Sequence, residues 1–448
     1  MNASDLHPAA VARRSAVQEV ATMRILVTGA TGFIGGAVVD ALRARGHVPV
    51  PAVRDVDAAK RRWPMLQPVA VDFAHDTDAQ AWRPRLAAID AVVNAVGILR
   101  ETDAQPFAAL HDATPRALFE VCVDAGVRRV VQVSALGADE DATSPYHLSK
   151  RAADRHLHAL PLQGVVVQPS VVFAPQGASA GMFLMLATLP IALLPGGGVQ
   201  RVAPVHLDDL IDTIIHALED ADPPRLVEAV GPACMTLRAY LDTLRRSLGL
   251  GGLRVLPVPM PLVRLSASVL QHVPGSLVEP ETIAMLARGN CAAPDGIARL
   301  LGRSPRAAGD FVPPPLRAMT RRDAQLRWAL PLLRISVALV FVVTALLSFG
   351  LYPLDGSRAL LASAGVPGAA VDIALFGSAA IDLLLGVGML LPRTRTVAYL
   401  ASIALIVAYT AIISLAMPAY WLHPFGPVLK NLPILASLVL LHALDRGD

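Results

Sequence analysis

Four apolar stretches fill the last quarter of the chain, at residues 330–351, 369–391, 397–417 and 427–444. Each is long enough to cross a hydrocarbon layer roughly 30 Å thick as a helix. Inside lipid no water satisfies the backbone, so segments of this kind must fold as helices. They also account for a composition that is 54% hydrophobic and 17% charged, with a mean hydropathy of +0.50. Residues 329–448 are therefore predicted to form an all-α transmembrane domain of four helices, with the lipid bilayer as partner.

Charge places the loops. Arg317, Arg321, Arg322 and Arg327 lie in or beside a basic linker at residues 316–328, and Arg393 and Arg395 fill the connection between the second and third stretches. The positive-inside rule puts both on the cytoplasmic side of an inner, multi-pass membrane protein, with both termini and the large N-terminal part in the cytoplasm. A net charge of +3, with no basic tract interleaved with aromatics, argues against nucleic acid. Cys122, Cys234 and Cys291 are widely spaced, match no metal-ligand pattern, and read as reduced core residues. Residues 1–22 are polar, lack a signal-like apolar core, and are expected to form a disordered extension.

From Met23 short apolar runs alternate with helical patterns, the mark of an α/β fold with a parallel sheet and helices on both faces. Strands are expected at residues 25–28, 48–53, 69–72, 91–95, 129–134 and 165–169, with crossover helices such as 34–45 and 115–125. Residues 176–315 read as a substrate-side part of the same unit, closed by Pro313-Pro314-Pro315. The apolar run Met182–Leu189 is either an access route for a lipophilic substrate such as a quinone or a helix packed in the core.

The first strand runs into Thr28-Gly29-Ala30-Thr31-Gly32-Phe33-Ile34-Gly35. This glycine spacing between strand and helix is the Rossmann-like fingerprint: glycines let the backbone approach a pyrophosphate, and the helix N-terminus supplies free N–H groups. Gly29, Thr31, Gly32, Phe33, Ile34 and Gly35 are accordingly candidates for binding a nicotinamide dinucleotide. The second strand ends in Arg54-Asp55. A cation there suits a 2′-phosphate and an acid suits ribose hydroxyls, so Arg54 favours NADP(H) over NAD(H). Asp72 and Phe73 are placed to meet adenine, although Asp72 could equally cap a turn.

Ser134 follows the fifth strand, and Tyr146 and Lys150 sit four apart on a predicted helix, sharing a face. A lysine beside a phenol favours the phenolate and fits the tyrosine for proton transfer, while the serine would hold a substrate oxygen.

With the glycine loop, Asn94-Ala95-Val96-Gly97, Ser134, Tyr146 and Lys150, residues 23–315 resemble the short-chain dehydrogenase/reductase superfamily. Pro169-Ser170-Val171 and Pro204-Val205-His206-Leu207-Asp208-Asp209 resemble segments of its extended and atypical branches, and Ser134-Ala135-Leu136-Gly137-Ala138 resembles the Rossmann-fold accessory subunit of respiratory complex I. Gln168 stands where many relatives have arginine. The resemblance implies that Asn94, Ala95, Gly97, Lys150, Pro169 and Val171 also contact the cofactor, that Ser134, Tyr146 and Lys150 are catalytic, and that no metal is needed. The C-terminal stretches, with His423-Pro424-Phe425-Gly426-Pro427 before the last, resemble the DoxX-like family. Asp382 in the second stretch is a costly intramembrane charge with Arg334 and Lys430 as candidate partners. Three functions stay open: a membrane-anchored NAD(P)-dependent oxidoreductase acting on a carbonyl or alcohol, a non-catalytic NADPH-binding assembly or sensor component of a respiratory complex, and a nucleotide-sugar epimerase or dehydratase.

Overall fold

The computed structural model describes residues 21–270, 280–424 and 426–445. Residues 1–20 of the expected disordered extension lie outside them. The chain divides into two compact units, Met1–Arg321 and Arg322–Asp448.

The first unit begins β1 (Arg24–Thr28), α1 (Phe33–Ala44), β2 (Val48–Val53), α2 (Val56–Arg62), β3 (Val69–Ala70), α3 (Ala79–Trp82), β4 (Ala91–Asn94), α4 (Thr114–Asp124), β5 (Arg129–Val133), α5 (Pro145–Ala159) and β6 (Gln163–Pro169). Shorter elements follow: β7 (Val172–Phe173), α6 (Ala178–Thr188), β8 (Ala192–Pro195), β9 (Arg201–Val202), β10 (Val205–His206), α7 (Leu207–Glu219), β11 (Leu226–Ala229), β12 (Met235–Thr236), α8 (Leu237–Ser247), β13 (Val255–Val258), α9 (Met260–Leu270), α10 (Pro280–Arg288) and α11 (Asp295–Leu301).

Seven strands form one parallel sheet in the order β11-β6-β5-β4-β1-β2-β3. The order reverses at β1, so the crevice beyond the C-terminal ends of β1 and β4 is where such a sheet takes its ligand. Alternate residues build two cores. Ile25, Val27, Val93, Val131 and Val167 face α1, α7 and α11, whereas Leu26, Val92, Val130 and Val166 face α4 and α5. Both faces are covered, which is why these strands read as unbroken apolar runs. At the C-terminal edge the pattern turns polar: the Thr28 hydroxyl donates to Asn94, and Asn94 Nδ2 donates to Gln132 Oε1 at 2.7 Å. This buried thread ties β1, β4 and β5 together beneath the crevice.

Met182–Leu189 proves to be part of α6 and its C-cap. Phe183, Leu184 and Ala187 are buried, and Phe183 packs edge-on against Tyr240 of α8. These residues of the run pack in the core, as the second of the two readings expects, while Met182, Met185 and Leu186 are half-buried.

The second unit comprises α12 (Arg317–Leu346), α13 (Leu354–Ser363), α14 (Val371–Leu390), α15 (Arg395–Ala416) and α16 (Asn431–Leu444). The basic stretch at residues 317–328 is helical, the opening turns of α12. Helices α12, α14, α15 and α16 share a core that includes Phe341, Met389, Tyr399 and Leu438. Gly386 lets α12 and α14 approach closely, since a Cβ there would lie 3.0 Å from the Ala338 carbonyl oxygen.

Among the described residues three helices are long and apolar enough to cross a membrane: Pro314–Leu351, Gly368–Leu390 and Arg395–Ala416. The fourth stretch yields a shorter apolar helix. Gly426 and Pro427 fall in a turn, leaving the 14 residues of α16, about 21 Å at the α-helical rise and short of the bilayer core. Arg334 is no partner of Asp382. Its guanidinium donates to the Tyr399 hydroxyl at 2.9 Å and to Asp445 at 2.8 Å, and Tyr399 donates to Asp445 at 2.7 Å.

Candidate functional site

The glycine loop is shaped by contacts that only glycine permits. Gly29 has φ +65°, and a Cβ on it would lie 2.8 Å from the Ala95 carbonyl oxygen, so the β1 and β4 loops touch through it. A Cβ on Gly35 would sit 2.2 Å from the Gly29 oxygen, which fixes the tight turn into α1. Gly32 caps α1 with no side-chain acceptor, so the first amides of the helix stay available. Thr31, Gly32 and Phe33 are exposed at this mouth, Ile34 is half-buried and Gly35 is buried. A cradle of amides at a helix N-terminus, walled by backbone and closed to side chains, fits a dinucleotide pyrophosphate.

Helix α5 carries the reactive groups. Ser144 caps it by accepting the His147 N–H at 3.2 Å, and Pro145 occupies the first turn. Tyr146, Lys150 and Asp154 then follow at intervals of four along one stripe, all buried. Lys150 Nζ donates to the Val96 carbonyl at 2.9 Å and to the Val133 carbonyl at 3.2 Å, which aims it at the ends of β4 and β5. Gly97 makes room: a Cβ there would lie 3.2 Å from that nitrogen. Burial lowers the Lys150 ammonium to about 8, although Asp154 pulls it back up. Burial also pushes the Tyr146 hydroxyl up to about 12, with Asp154 adding to the rise.

Ser134 sits at the end of β5, and its hydroxyl has a partner on α5. Its N–H continues the strand ladder by donating to Val167 O at 2.8 Å. Alternation from Val133 therefore turns its side chain under α5, where the hydroxyl donates to the Asp154 carboxylate. Burial raises Asp154 to about 6, against the opposing pull of Ser134 and Lys150. The fourfold spacing from Lys150 would have revealed Asp154 in the sequence. His111 was less legible. It sits edge-on to Tyr146 with ring centroids 5.6 Å apart. Its Nε2 accepts the Ile98 N–H at 3.1 Å, which assigns the proton to Nδ1, facing Ser149 Oγ at 3.0 Å. Burial and the Lys150 charge hold it neutral, with its pKa near about 2. Phe107, Ala135, Ile98 and Met285 complete an apolar cluster around Tyr146.

Asn94 is committed to the polar thread, so it holds the strand ends together. Ala95 donates its N–H to the Thr28 carbonyl at 3.3 Å. Asp55 caps α2 by accepting the Ala58 N–H at 2.8 Å, leaving exposed Arg54 as the charged group at the end of β2. Asp72 caps its own turn, accepting the Ala74 N–H at 3.0 Å and contacting His75 at 2.8 Å. That His75 contact holds its carboxyl below the usual range. Phe73 is buried edge-on against Trp82 and is core.

Pro169 ends β6, its carbonyl accepting the Leu136 N–H at 3.0 Å. The Val171 N–H donates to the Asn290 side chain at 3.1 Å. Asn290 is fixed by a further finding: Cys234 and Cys291 form a disulfide, which corrects the reading of all three cysteines as reduced. Strand β9 pairs with β12, just after Cys234, and Val202 bridges to Asn290, just before Cys291. One strand thus draws together two thiols separated by 57 positions. Cys122 remains a free, buried thiol.

Residues 25–229 match the NAD dependent epimerase/dehydratase family, and residues 338–439 match the DoxX-like family. The 3-diazoavenalumate denitrifying reductase of a Streptomyces species is 31% identical over 228 residues, which is 44% of this chain and 72% of that protein. The chain belongs to the NAD dependent epimerase/dehydratase family. It carries a DoxX-like domain behind that unit. The ceramide reductase of Caulobacter vibrioides is 30% identical over 188 residues, 41% of this chain, and the match spans 57% of that relative's length. The mitochondrial NADH dehydrogenase (ubiquinone) 1 alpha subcomplex subunit 9 of Arabidopsis thaliana is a distant relative, 25% identical over 57% of this chain and 66% of its own. The structure of gox2253 shares the fold with a TM-score of 0.51 at 22% identity, covering 68% of this chain and 98% of that one. Among the described residues no cluster of His, Cys, Asp or Glu could hold a metal ion.

Proposed function

We propose that this epimerase/dehydratase-family chain is a membrane-anchored NADP(H)-dependent reductase or dehydrogenase acting on the carbonyl or alcohol of a lipophilic small molecule. The observation that carries the reading is the α5 stripe, with Tyr146 in an apolar cluster and Lys150 held at the ends of β4 and β5. The nicotinamide supplies or accepts the hydride. Gly29, Gly32 and Gly35 give the pyrophosphate its backbone amides, and Arg54, with Asp55 diverted to capping, meets the 2′-phosphate. Lys150 exchanges a backbone carbonyl for the ribose hydroxyls. Tyr146 donates its phenolic proton to the substrate oxygen in reduction, or takes it back in oxidation. Ser134 acts from beneath through Asp154. Phe107, Ile98, Ala135 and Met285 exclude water and suit an apolar substrate, and one relative is named for ceramide. The positive-inside pattern of Arg393 and Arg395 favours a cytoplasmic reductase unit on the inner membrane.

A second reading has one observation in its favour: the Ser134 hydroxyl is engaged by the Asp154 carboxylate. In that reading NADPH stabilises an assembly component, as a distant likeness to a respiratory subunit would suit. One experiment separates the two. Full-length protein in detergent is mixed with NADPH and a panel of quinones, long-chain aldehydes and ketones, and wild type is compared with Tyr146→Phe. Oxidation that falls about 10²- to 10⁴-fold in the variant, with NADPH binding kept, supports the enzyme. Tight binding without oxidation in either protein supports the assembly component.

A further inference from the structure

Strands β8 and β13 pair in parallel with Leu193 opposite Leu256. On one face of the pair Ala192 and Leu194 are buried. On the other face Ile191, Leu193 and Leu256 are exposed by 53%, 56% and 55%, which is unusual for three adjacent large apolar side chains in a short sheet. Arg254, two positions before Leu256, shares that face and is exposed. Helix α9 begins one residue after β13. It buries Val263 and Ala267 against the unit and leaves Leu262, Arg264 and Leu265 in solvent.

Arg254 and Arg264 are the exposed cations of this surface, with Asp242 nearby, where it accepts the Leu253 N–H at 2.7 Å and pairs with Arg246 at 2.8 Å. Residues 243–278 contain four arginines and no aspartate or glutamate. Arg245 is used internally, bonding the carbonyls of Ala187 and Leu189 and so fixing the approach to β8. Arg254 and Arg264 point outward among the leucines. Exposed leucines interleaved with Arg254 and Arg264 complement a surface with an apolar interior and anionic headgroups.

We propose that the β8–β13 face and α9 dock onto the surface of an anionic lipid bilayer, with Leu193, Leu256, Leu262 and Leu265 entering the headgroup boundary and Arg254 and Arg264 meeting lipid phosphates. The apolar helices of the same chain keep this unit at high effective concentration next to a bilayer, so a modest surface suffices. The inference goes beyond the reductase reading and stands whether or not Tyr146 turns over a substrate.

The test uses the full chain in nanodiscs, with a bimane fluorophore on Leu193→Cys, on Leu256→Cys, or on Met65→Cys, an exposed position between α2 and β3 and outside the β8–β13 pair. Buried Cys122 and the Cys234–Cys291 disulfide leave the introduced thiol as the reactive one. Brominated phospholipid is expected to quench the labels at 193 and 256 and spare the one at 65. Quenching should be stronger with phosphatidylglycerol than with phosphatidylcholine alone, and should weaken in high salt without further mutation. Arg254→Glu and Arg264→Glu should each lower the docked population by about fivefold or more. NADPH binding to each labelled chain checks folding. Quenching at 193 and 256 no greater than at 65 would overturn the proposal. So would equal quenching in neutral and anionic discs, or protection that appears only when two chains share a disc, which would identify a second copy as the occupant.

Discussion

The Asn290 side-chain carbonyl accepts the Val171 N–H at 3.1 Å, across 119 positions of sequence. It fixes the turn between β6 and β7 from a residue that is itself anchored by β9 and by the neighbouring Cys234–Cys291 disulfide. Losing an acceptor to a partly buried amide costs about 1–3 kcal/mol. Asn290→Ala should therefore lower unfolding stability by that amount in a denaturant titration of the full chain. Asn290→Asp, which keeps an acceptor oxygen, should lose less, and equal losses would remove this role.

Two glycines with nearly the same backbone separate strain from crowding. Gly29 has φ +65° with Ala95 O 2.8 Å from a Cβ, while Gly126 has φ +69° with nothing within 4 Å. Gly126→Ala should cost about 1–2 kcal/mol from the left-handed backbone alone. Gly29→Ala should cost more and should also weaken NADPH binding at least about tenfold, because the two loops must part. Calorimetry on both variants decides it.

Lys150 links binding to pH. Its ammonium loses its proton near about 8, and the charged form is the one suited to ribose hydroxyls. NADPH affinity should fall as pH rises through that value. Asp154 raises the lysine, so Asp154→Asn should move this alkaline limb to lower pH. A titration of cofactor fluorescence from pH 6 to 9.5, at roughly the physiological salt that screens exposed charges, reads the displacement directly. An unmoved limb would mean that Asp154 does not tune the lysine.

Coenzyme choice is expected to rest on Arg54. Arg54→Asp should reverse the preference by weakening NADPH more than about tenfold while sparing NADH, because it substitutes repulsion for attraction at a 2′-phosphate. Paired dissociation constants measure it.

In the helical unit, Arg334→Met leaves Asp445 buried without its cation, a loss of about 3–5 kcal/mol. Pairing it with Asp445→Leu should restore most of that stability, since two well-packed apolar residues replace two desolvated charges. Thermal denaturation in a fixed detergent tests both variants.

What the sequence disclosed follows from the range of the forces involved. Strand β2 falls at residues 48–53 as expected, and the other five expected strands lie within a few residues of their expected ends, because two-sided burial leaves a local apolar record, whereas the edge strand β11 has no counterpart among them. The glycine loop and the Tyr146–Lys150 spacing were legible for the same reason: each is a local geometry written in adjacent residues. Ser134, Asn290 and the disulfide were not. The first depends on which side of β5 a residue emerges, and the others on contacts between distant segments. The last helix starts later than hydropathy alone would place it, because hydropathy counts Pro427 to Lys430 with the helix that follows, whereas the backbone turns there. The Asp72 turn cap and the burial of Phe73 against Trp82 were not legible, because position alone cannot tell a turn cap or a core ring from a free side chain.

Because Tyr146, Lys150 and Asp154 lie along a single stripe of α5, they behave as teeth on one rigid comb. Inserting one residue between Tyr146 and Lys150 would swing everything downstream by about 100°. The tyrosine would keep its pocket while both partners turned away together, so drift within this helix has no halfway state in which the proton path survives in part.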